Sequence, residues 1–558
     1  MDFVLVLHSH VPWVLGHGRW PHGSDWLCEA ALDTYLPLLE SLRRLDADGI
    51  AAPVTIGVTP VLANQLTHRT FGDELEGFFA QRLKACDEAP ASLSQTGDEA
   101  LLPLVAFWRE RFLRLRLLFR AIGGDIVGAL AELARRGRVE LISSAATHGF
   151  LPLLGRDESI RLQLFTGTAE HRRLFGGGPS GCWLPECAYR PRGPWNLRGG
   201  GGSARGAVRR GIDEHLSDAG YRYFFTDAHL AHAGTFLGGA SDIPLGAERF
   251  DAERHEASTV RAGPAVRTPY QAYLASERRR GAVATLVRDP RSSMQVWSRH
   301  QGYPGDEAYL EFHKIRWPGG IKYWRVTGPG TDLGNKGAYA PDAARARIAA
   351  HAEHFTGVLS SIAKDPLARV AVAPFDTELF GHWWFEGVDF LEALYRRLPQ
   401  IRAVHATTAS AHLKGHAPRQ AVRLAAGSWG ADGDWSMWLN DRTAWTWNRM
   451  WPLEDRFWTV APEALRREEA RPVLAQAARA LLLAQSSDWQ FIISTGAAAD
   501  YAERRFTHHC DDLERLLAGL APEADDGARA RARDEAKAQA WRDSLFPDVL
   551  DSVEAALA

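Results

Sequence analysis

Short apolar runs alternate with long helical stretches along most of this chain, and many of these runs end in a histidine or a carboxylate. The first run, residues 2–7, reads DFVLVL and leads into His8 and His10. A continuous apolar run of this kind is typical of a strand that is covered on both faces. Strands that alternate with helices in one long succession indicate a parallel α/β architecture.

The positions of the polar residues point to a barrel. About seven such strands, closing on one another, would form a barrel whose functional groups sit at the carboxyl ends of the strands. We expect this barrel over residues 1–410, with a helical insertion at about 73–137 where apolar residues recur at helical spacing. The candidate residues at strand ends are His8, His10, His148, Glu186, Asp227 and Asp376.

Two stretches combine carboxylates with large aromatic residues. Residues 373–387 read APFDTELFGHWWFEG, and residues 181–191 read GCWLPECAYRP and contain Glu186. Aromatic faces stack on the apolar faces of pyranose rings and paired carboxylates cleave glycosidic bonds, so this pattern indicates sugar chemistry. The alternative for any single acid is that it pairs with an arginine or caps a helix. Two such stretches in one chain favour the catalytic interpretation.

Residues 411–558 differ in character from the part before them, with long stretches at helical spacing and further tryptophans. We predict a helical C-terminal domain whose first loops reach back to a substrate groove. The chain has 20 tryptophans, most of which we expect in the core. Trp429 and Trp438 are the exceptions. Glycine, aspartate and asparagine flank them, and we predict that both line the groove.

Composition excludes several classes of protein. The 558 residues carry a net charge of −3, which implies no broad cationic surface for nucleic acid. No apolar run reaches the roughly 18 residues of a membrane-spanning helix, and residues 1–7 are too short for the core of a signal peptide. The five cysteines include no CxxC pair, and an odd number argues against a disulfide framework. We therefore expect a cytoplasmic protein with no membrane partner.

His8 and His10 leave a second chemistry open. An HxH pair at the end of a first barrel strand can bind a metal ion, or it can hydrogen-bond sugar hydroxyls. No further set of acids and histidines completes a ligand group in the sequence, so we expect neither a metal nor another cofactor. A metal-dependent hydrolase or deacetylase, and a non-catalytic glucan-binding protein, stay as alternatives from other functional classes.

Several longer motifs occur in a fixed order: HSHVPW (8–13), GVTPVLANQL (57–66), ATHGFLPLL (146–154), CWLPECAY (182–189), RDPRSSMQVWS with GYPGD (288–306), APFDTELFGHWWFEG (373–387) and SSDW (486–489). Together they resemble the conserved regions of glycoside hydrolase family 57, and the resemblance is closest to its α-1,4-glucan branching enzymes. It extends over nearly the whole chain. Many independent motifs in one order make the resemblance specific at the level of the family.

The resemblance implies a (β/α)7 barrel with a helical insertion and a helical C-terminal domain, acting on α-glucan (amylose, glycogen or a starch-like chain) without a metal. By this resemblance Glu186 is the nucleophile and Asp376 the general acid and base of a retaining mechanism. The two carboxyl groups should then lie roughly 5–5.5 Å apart, and Asp376 should have a raised pKa. The other positions that match the family's substrate-binding residues are His10, His148, Arg288, Trp297, Gly305, Trp429 and Asp488.

One departure from the family pattern bears on the reaction. The branching members carry a tyrosine on the long loop after the fifth strand, where it is thought to shield the covalent intermediate from water, but residues 228–266 contain no tyrosine. Phe236 or Phe250 could cover the site instead. Exclusion of water separates branching from hydrolysis. An amylase-like α-1,4-glucan hydrolase or a 4-α-glucanotransferase of the same family is therefore the alternative to a branching enzyme.

Overall fold

Seven parallel strands form the centre of the fold in this computed structural model, which describes residues 1–19, 22–195, 208–239, 267–277, 281–298 and 302–558. Their order in the sheet is β7-β1-β2-β3-β4-β5-β6. The strands are β1 (Asp2–Ser9), β2 (Val54–Val58), β3 (Val139–Ser144), β4 (Gly181–Trp183), β5 (Tyr223–Thr226), β6 (Ala284–Val287) and β7 (Val370–Asp376).

The sheet closes on itself between β6 and β7. Arg288, the residue after β6, forms a parallel bridge with Val372 of β7, and the amide of Asp289 donates to the carbonyl oxygen of Val372 over 2.8 Å. The predicted (β/α)7 barrel is therefore confirmed. Its closure places the carboxyl ends of all seven strands around one rim, where parallel barrels carry their functional groups.

The apolar run of β1 is explained by burial on both faces. Val4 and Val6 belong to the cluster inside the barrel, whereas Phe3, Leu5 and Leu7 pack in the larger cluster between the barrel and the helices. No position of such a strand faces water, so it reads as a continuous apolar run rather than as an alternation.

A long helical region separates β2 from β3, in the part of the chain where we predicted an insertion at about 73–137. It contains the helices Pro60–Leu66, Arg69–Thr96, Leu102–Ala121 and Ile126–Arg135. The other helices before residue 444, apart from single turns, are Ser24–Ala30, a π-helix at Ala31–Tyr35, Leu36–Ala47, Asp157–Phe175, Ile212–Asp218, Ala228–His232, Pro290–Trp297, Pro341–Ile362, Gly387–Arg397 and Ala409–Gly415.

Helices dominate the C-terminal part. They are Ala444–Ala464, Arg471–Ala484, Asp488–Thr495, Ala499–Leu520, Asp526–Arg542 and Val549–Leu557. None of the helices in the described part of the chain has the length and apolar character needed to cross a membrane.

Short strands extend the sheet beyond β6. Gln420–Arg423 pairs antiparallel with Thr235–Gly239, and Tyr273–Leu274 pairs antiparallel with β6. Tyr273–Leu274 is thus a short strand outside the barrel, and residues 420–423, which lie in the part that we predicted to be helical, belong to this sheet.

Candidate active site

Glu186 lies just beyond the end of β4, in the single turn Pro185–Cys187. Its backbone has φ 59° and ψ 23°, in the left-handed region. His148, beyond the end of β3, has φ 60°. Such a conformation costs a residue with a Cβ about 1–3 kcal/mol, and it persists where the surrounding structure holds it, often at functional sites.

Two donors fix the carboxylate of Glu186. The indole Nε1 of Trp429 donates to Oε2 over 2.9 Å, and the hydroxyl of Ser487 donates to Oε1 over 3.0 Å. The amide of Trp429 also donates to the carbonyl oxygen of Glu186 over 3.0 Å. Burial raises the pKa of Glu186 to about 7, and the hydrogen bond from Trp429 opposes this rise because it favours the ionised form.

Asp376 is the last residue of β7 and lies in register with His8 of β1. Burial raises the pKa of Asp376 well above its ordinary value, and the negative charges of Glu378 and Glu186 raise it further. The guanidinium of Arg288 opposes these effects and does not cancel them. Asp376 therefore holds a proton under conditions in which an ordinary aspartate has lost it.

Arg288 occupies the position where the barrel closes. Its Nη2 pairs with Oδ2 of Asp227, beyond the end of β5, at 2.5 Å. Its guanidinium also lies 5.9 Å from the centroid of the Trp429 ring. Arg288 thus connects the closing strands to the indole that holds Glu186.

His10 and His148 stack against each other with their ring centroids 4.1 Å apart. Nδ1 of His10 lies 3.0 Å from the hydroxyl of Thr59, and Nε2 lies 2.9 Å from Oδ2 of Asp488. Burial would raise the pKa of Asp488, but the charge and hydrogen bond of His10 outweigh it and lower that pKa to about 2. Asp488 is therefore an anion that orients the ring of His10.

His8 and His148 form the floor of this cluster. Their Nε2 atoms are 3.0 Å apart, and Nδ1 of His148 lies 2.9 Å from the hydroxyl of Ser487. Burial, followed by the charge of neighbouring histidines, lowers the pKa of both rings well below the ordinary value. Both are neutral imidazoles at neutral pH and can exchange hydrogen bonds with hydroxyl groups.

Three groups of residues within the described ranges bring possible metal ligands within 4.8 Å of one another. One of them is His10 with His148 and Asp488, at the site itself. Both ring nitrogens of His10 already have hydrogen-bond partners within the protein. The other two groups are Asp2 with His412 and His416, and His509 with Asp512 and Asp543.

Trp297 and Trp429 form an aromatic wall beside Glu186. Trp297 ends the helix Pro290–Trp297, is 37% exposed, and has its ring centroid 5.4 Å from that of Trp429 in an edge-to-face arrangement. An exposed indole next to a held carboxylate offers a face on which a sugar ring can stack.

Two predicted site residues lie elsewhere. Trp438 is 1% exposed and stacks on Phe150 at 4.6 Å, so the structure places it in the core and not on an open groove. Gly305 ends the turn Tyr303–Gly305, which packs through Tyr303 on His351 of the helix Pro341–Ile362. Among the described residues, Gly305 forms no hydrogen bond with Glu186 or Asp376.

Ser487 and Thr59 were not singled out from the sequence, whereas Glu378 is, with Asp376, one of the two carboxylates that follow the apolar run before residue 376; only the family resemblance favours Asp376 over Glu378 as the acid. Ser487 stands inside the quoted SSDW motif, but its bond to Glu186 spans 301 positions and has no local signal. Glu378 accepts from the amide of His10 over 3.1 Å and from the hydroxyl of Tyr35. Thr59 directly follows β2. Since functional groups of a parallel barrel lie at the carboxyl ends of its strands, Thr59 could have been predicted from the sequence. Phe250 lies outside the described residues.

Two sequence families match this chain. Glycosyl hydrolase family 57 matches residues 4–425, and the family described as 1,4-alpha-glucan branching enzyme, C-terminal, matches residues 449–553. A 1,4-alpha-glucan branching enzyme of Thermococcus kodakarensis is 40% identical to the chain over 518 residues, which are 92% of this chain and 72% of that protein.

Two solved structures have the same fold over almost the whole chain. The GH57-type branching enzyme of Pyrococcus horikoshii is 35% identical with a TM-score of 0.87, covering 99% of this chain and 96% of its own. An alpha-amylase of Thermotoga maritima is 27% identical with a TM-score of 0.79, covering 98% of both chains. The barrel and the helical C-terminal part thus recur together in these proteins.

Proposed function

The chain belongs to glycosyl hydrolase family 57, and we propose that it is a retaining 1,4-α-glucan branching enzyme with Glu186 as nucleophile and Asp376 as general acid and base. The observation that carries the assignment is the contrast between two carboxyl groups at strand ends. Glu186 accepts two hydrogen bonds that favour its ionised form, whereas burial and negative neighbours favour protonated Asp376. A retaining mechanism requires one group of each kind.

The first half of the reaction transfers a glucan segment to the protein. An oxygen of the Glu186 carboxylate attacks the anomeric carbon of the donor chain, and the bond from that carbon to the glycosidic oxygen breaks. Asp376 gives its proton to the departing oxygen, which leaves as the 4-hydroxyl of the cut chain. The products are a glycosyl ester of Glu186, ionised Asp376 and a shortened glucan.

The second half passes the segment to an acceptor. Ionised Asp376 takes the proton from the 6-hydroxyl of an acceptor glucan while that oxygen attacks the anomeric carbon. The ester bond breaks, the carboxylate of Glu186 is restored and an α-1,6 branch has formed. Water in place of the 6-hydroxyl would give hydrolysis by the same steps.

The surrounding residues support binding of a sugar ring. We propose that His10, which Asp488 orients, and His148 line the sugar site. Because their ring nitrogens already have partners within the protein, a sugar hydroxyl would bind to them only by replacing one of these partners. Trp297 and Trp429 provide aromatic faces beside the nucleophile. Ser487 and Asp488 come from the C-terminal part, so we assign that part a share in the site as well as in packing.

The test is to incubate the purified protein with amylose and count new α-1,6 linkages by proton NMR and new reducing ends in parallel. We expect linkages to outnumber reducing ends. Glu186→Gln and Asp376→Asn should each lose activity by at least about a hundredfold, because acid–base and nucleophilic catalysis contribute that much or more. Reducing ends without α-1,6 linkages would instead identify an α-glucan hydrolase.

Hydrolysis is the second candidate because residues 228–266 lack the tyrosine of branching members. One of the similar structures is also an amylase. A metal-dependent hydrolase is tested in the same assay. Activity that survives exhaustive treatment with EDTA would contradict it, and activity lost to EDTA and restored by a divalent cation would favour it over the retaining mechanism.

We further propose that the reaction takes place in the cytoplasm and serves the synthesis of glycogen-like polymers. All five cysteines are buried and unpaired in the structure, which suits a reducing compartment. Fractionation of the producing cells, with assay of branching activity in each fraction, tests the location.

A further inference from the structure

An exposed aromatic stack lies on the turn that follows Asp376. Trp383 is 54% exposed, and its ring stacks on Phe312 with centroids 4.6 Å apart and an interplanar angle of 29°. By contrast the next residue, Trp384, is 1% exposed. A large indole left in water beside a buried one has no packing role that explains its position.

The stack is joined to the site by two hydrogen bonds. The amide of Trp383 donates to the carbonyl oxygen of Glu378 over 3.1 Å. The carboxylate of Glu378 accepts in turn from the amide of His10 over 3.1 Å. Trp383 therefore lies on the segment that directly follows Asp376, and Glu378 in the same segment contacts the backbone of His10.

The aromatic residues around the site form two separate groups. Trp429 donates to Glu186, and Trp297 lies between Trp429 and Phe375, the residue before Asp376. Trp383, on the segment that follows Asp376, forms a second group with Phe312. In a retaining enzyme the general acid faces the oxygen of the leaving chain. The acceptor later occupies the position that this chain has vacated, next to the same residue, which now acts as the base. An aromatic face on the side of the acid therefore meets the leaving chain and the acceptor, and not the segment bound to Glu186.

We propose that Trp383, supported by Phe312, is a binding site for the acceptor glucan, where the indole stacks on the apolar face of a glucose unit. This inference rests on the proposed function. The same face holds the leaving chain in the first half of the reaction and the acceptor chain in the second. A branching enzyme must bind its acceptor tightly enough for the acceptor to react before water does. Stacking on Trp383 contributes to this affinity.

The support of the indole is rigid. Nζ of Lys322 lies 4.4 Å from the centroid of the Phe312 ring, a cation–π contact that holds the phenyl ring under the indole. The ring of His382 meets Trp383 edge to face at 5.6 Å. His382 is buried, and its Nδ1 lies 3.6 Å from Oδ2 of Asp33, which holds the ring in place. A preformed surface loses little conformational entropy when a sugar binds.

The experiment separates acceptor binding from the first half of the reaction. α-Maltosyl fluoride serves as donor because its leaving group, fluoride, needs no sugar site, and maltopentaose serves as acceptor. Two products are measured separately. Transfer gives maltopentaose lengthened by a maltosyl unit, through any linkage, and hydrolysis gives free maltose. The variants are Trp383→Ala, Trp383→Tyr, which keeps an aromatic face, and Trp541→Ala, which removes an indole that is 80% exposed on the helix Asp526–Arg542.

We expect Trp383→Ala to lower the ratio of transfer to hydrolysis by about tenfold, the loss that about 1.4 kcal/mol of stacking would cause. Trp383→Tyr should recover most of the ratio, and Trp541→Ala should match the wild type. An unchanged ratio in Trp383→Ala overturns the proposal, including the case in which both products fall together because the variant folds poorly.

The outcome is independent of linkage. If the wild type transfers maltosyl units to maltopentaose without forming α-1,6 bonds, the branching assignment fails and the acceptor site is still tested by the ratio. If α-1,6 bonds form on amylose and the ratio does not change in Trp383→Ala, the acceptor site fails while branching stands.

Discussion

At the scale of single residues, Glu186 combines burial with two donors that point at its carboxylate. Burial alone would keep the group protonated and useless as a nucleophile. The bonds from Trp429 and Ser487 oppose the effect of burial at Glu186, whereas at Asp376 burial raises the pKa and the negative charges of Glu378 and Glu186 raise it further. The two roles follow from environment, since both groups are ordinary carboxylic acids.

The raised pKa of Glu186 predicts a pH-dependent cost in stability. Its pKa is 4.5 ordinarily and about 7 in the folded chain, so between these values the folded chain retains a proton that the unfolded chain has released. Ionisation of Glu186 therefore lowers the stability of the wild type as pH rises through this range, and Glu186→Gln lacks this contribution. We expect the free energy of unfolding of Glu186→Gln, relative to wild type, to rise by about 3 kcal/mol between pH 4 and pH 8.

Urea unfolding at several pH values measures this difference. The comparison between two pH values removes the constant effect of replacing a carboxylate by an amide. A difference that is the same at pH 4 and pH 8 would contradict the raised pKa.

At the scale of elements, the turn that carries Glu378 and Trp383 is fitted against the π-helix Ala31–Tyr35. The amide of His382 donates to the hydroxyl of Thr34 over 3.1 Å, and the hydroxyl of Tyr35 donates to Glu378. A π-helix between two α-helices is an insertion that often occurs at functional sites. Here it brings the hydroxyl of Tyr35 to the carboxylate of Glu378, two residues after Asp376.

Gly381 lies at the closest approach of these two elements. Its φ is +108°, and a Cβ at this position would lie 2.0 Å from the carbonyl oxygen of Asp33. We expect Gly381→Ala to lower the free energy of unfolding by about 2–4 kcal/mol, because the turn must move and the backbone must leave its conformation. Branching activity should fall with it, since the turn begins at Asp376.

Gly357→Ala is the matched control for this substitution. Gly357 is exposed on the helix Pro341–Ile362, and a Cβ there would meet nothing within 4 Å. Its replacement should stabilise the protein by up to about 1 kcal/mol. Equal stability of the two variants in urea would show that the turn is not tightly fitted.

At the scale of the whole molecule, a buried polar network connects the barrel to the C-terminal helices. Glu454 accepts from the amide of Gly155 over 2.6 Å and from the side-chain amide of Gln485 over 2.8 Å. The side-chain oxygen of Gln485 accepts from the side-chain amide of Gln163. The side-chain oxygen of Gln163 in turn accepts from the backbone amide of Thr147. The next residue along the chain is His148, so this network links the packing of the two parts to the geometry of the site.

Glu454→Ala should therefore affect both stability and activity. Two buried donors lose their acceptor, which costs about 2–4 kcal/mol in the free energy of unfolding, and the activity on amylose should fall because the segment before His148 is released. Asp455→Ala is the control, because its partially exposed pairing with Arg156 contributes less than about 1 kcal/mol. A loss of stability with fully retained activity would show that the network only supports packing.

The sequence by itself determined the barrel and predicted candidate residues at the strand ends. The strands are predicted from local apolar runs; Asp376 is the last residue of β7 and Glu186 lies just beyond β4, and their proposed roles rest on the family resemblance. In a parallel barrel the carboxyl ends of the strands share one rim, so residues at these positions meet even when they are far apart in the chain. Local pattern and a general rule of topology were sufficient for this part.

Only the tertiary structure decided what surrounds the carboxylates. The sequence neighbours of Trp429 and Trp438 are alike, yet the first donates to Glu186 and the second is buried against Phe150. Ser487 reaches Glu186 across 301 positions, and the turn that contains Gly305 packs through Tyr303 on the helix Pro341–Ile362. These outcomes depend on how the C-terminal helices and long loops dock on the barrel. Docking is set by packing between distant surfaces, which leaves no periodic or local signal in the chain.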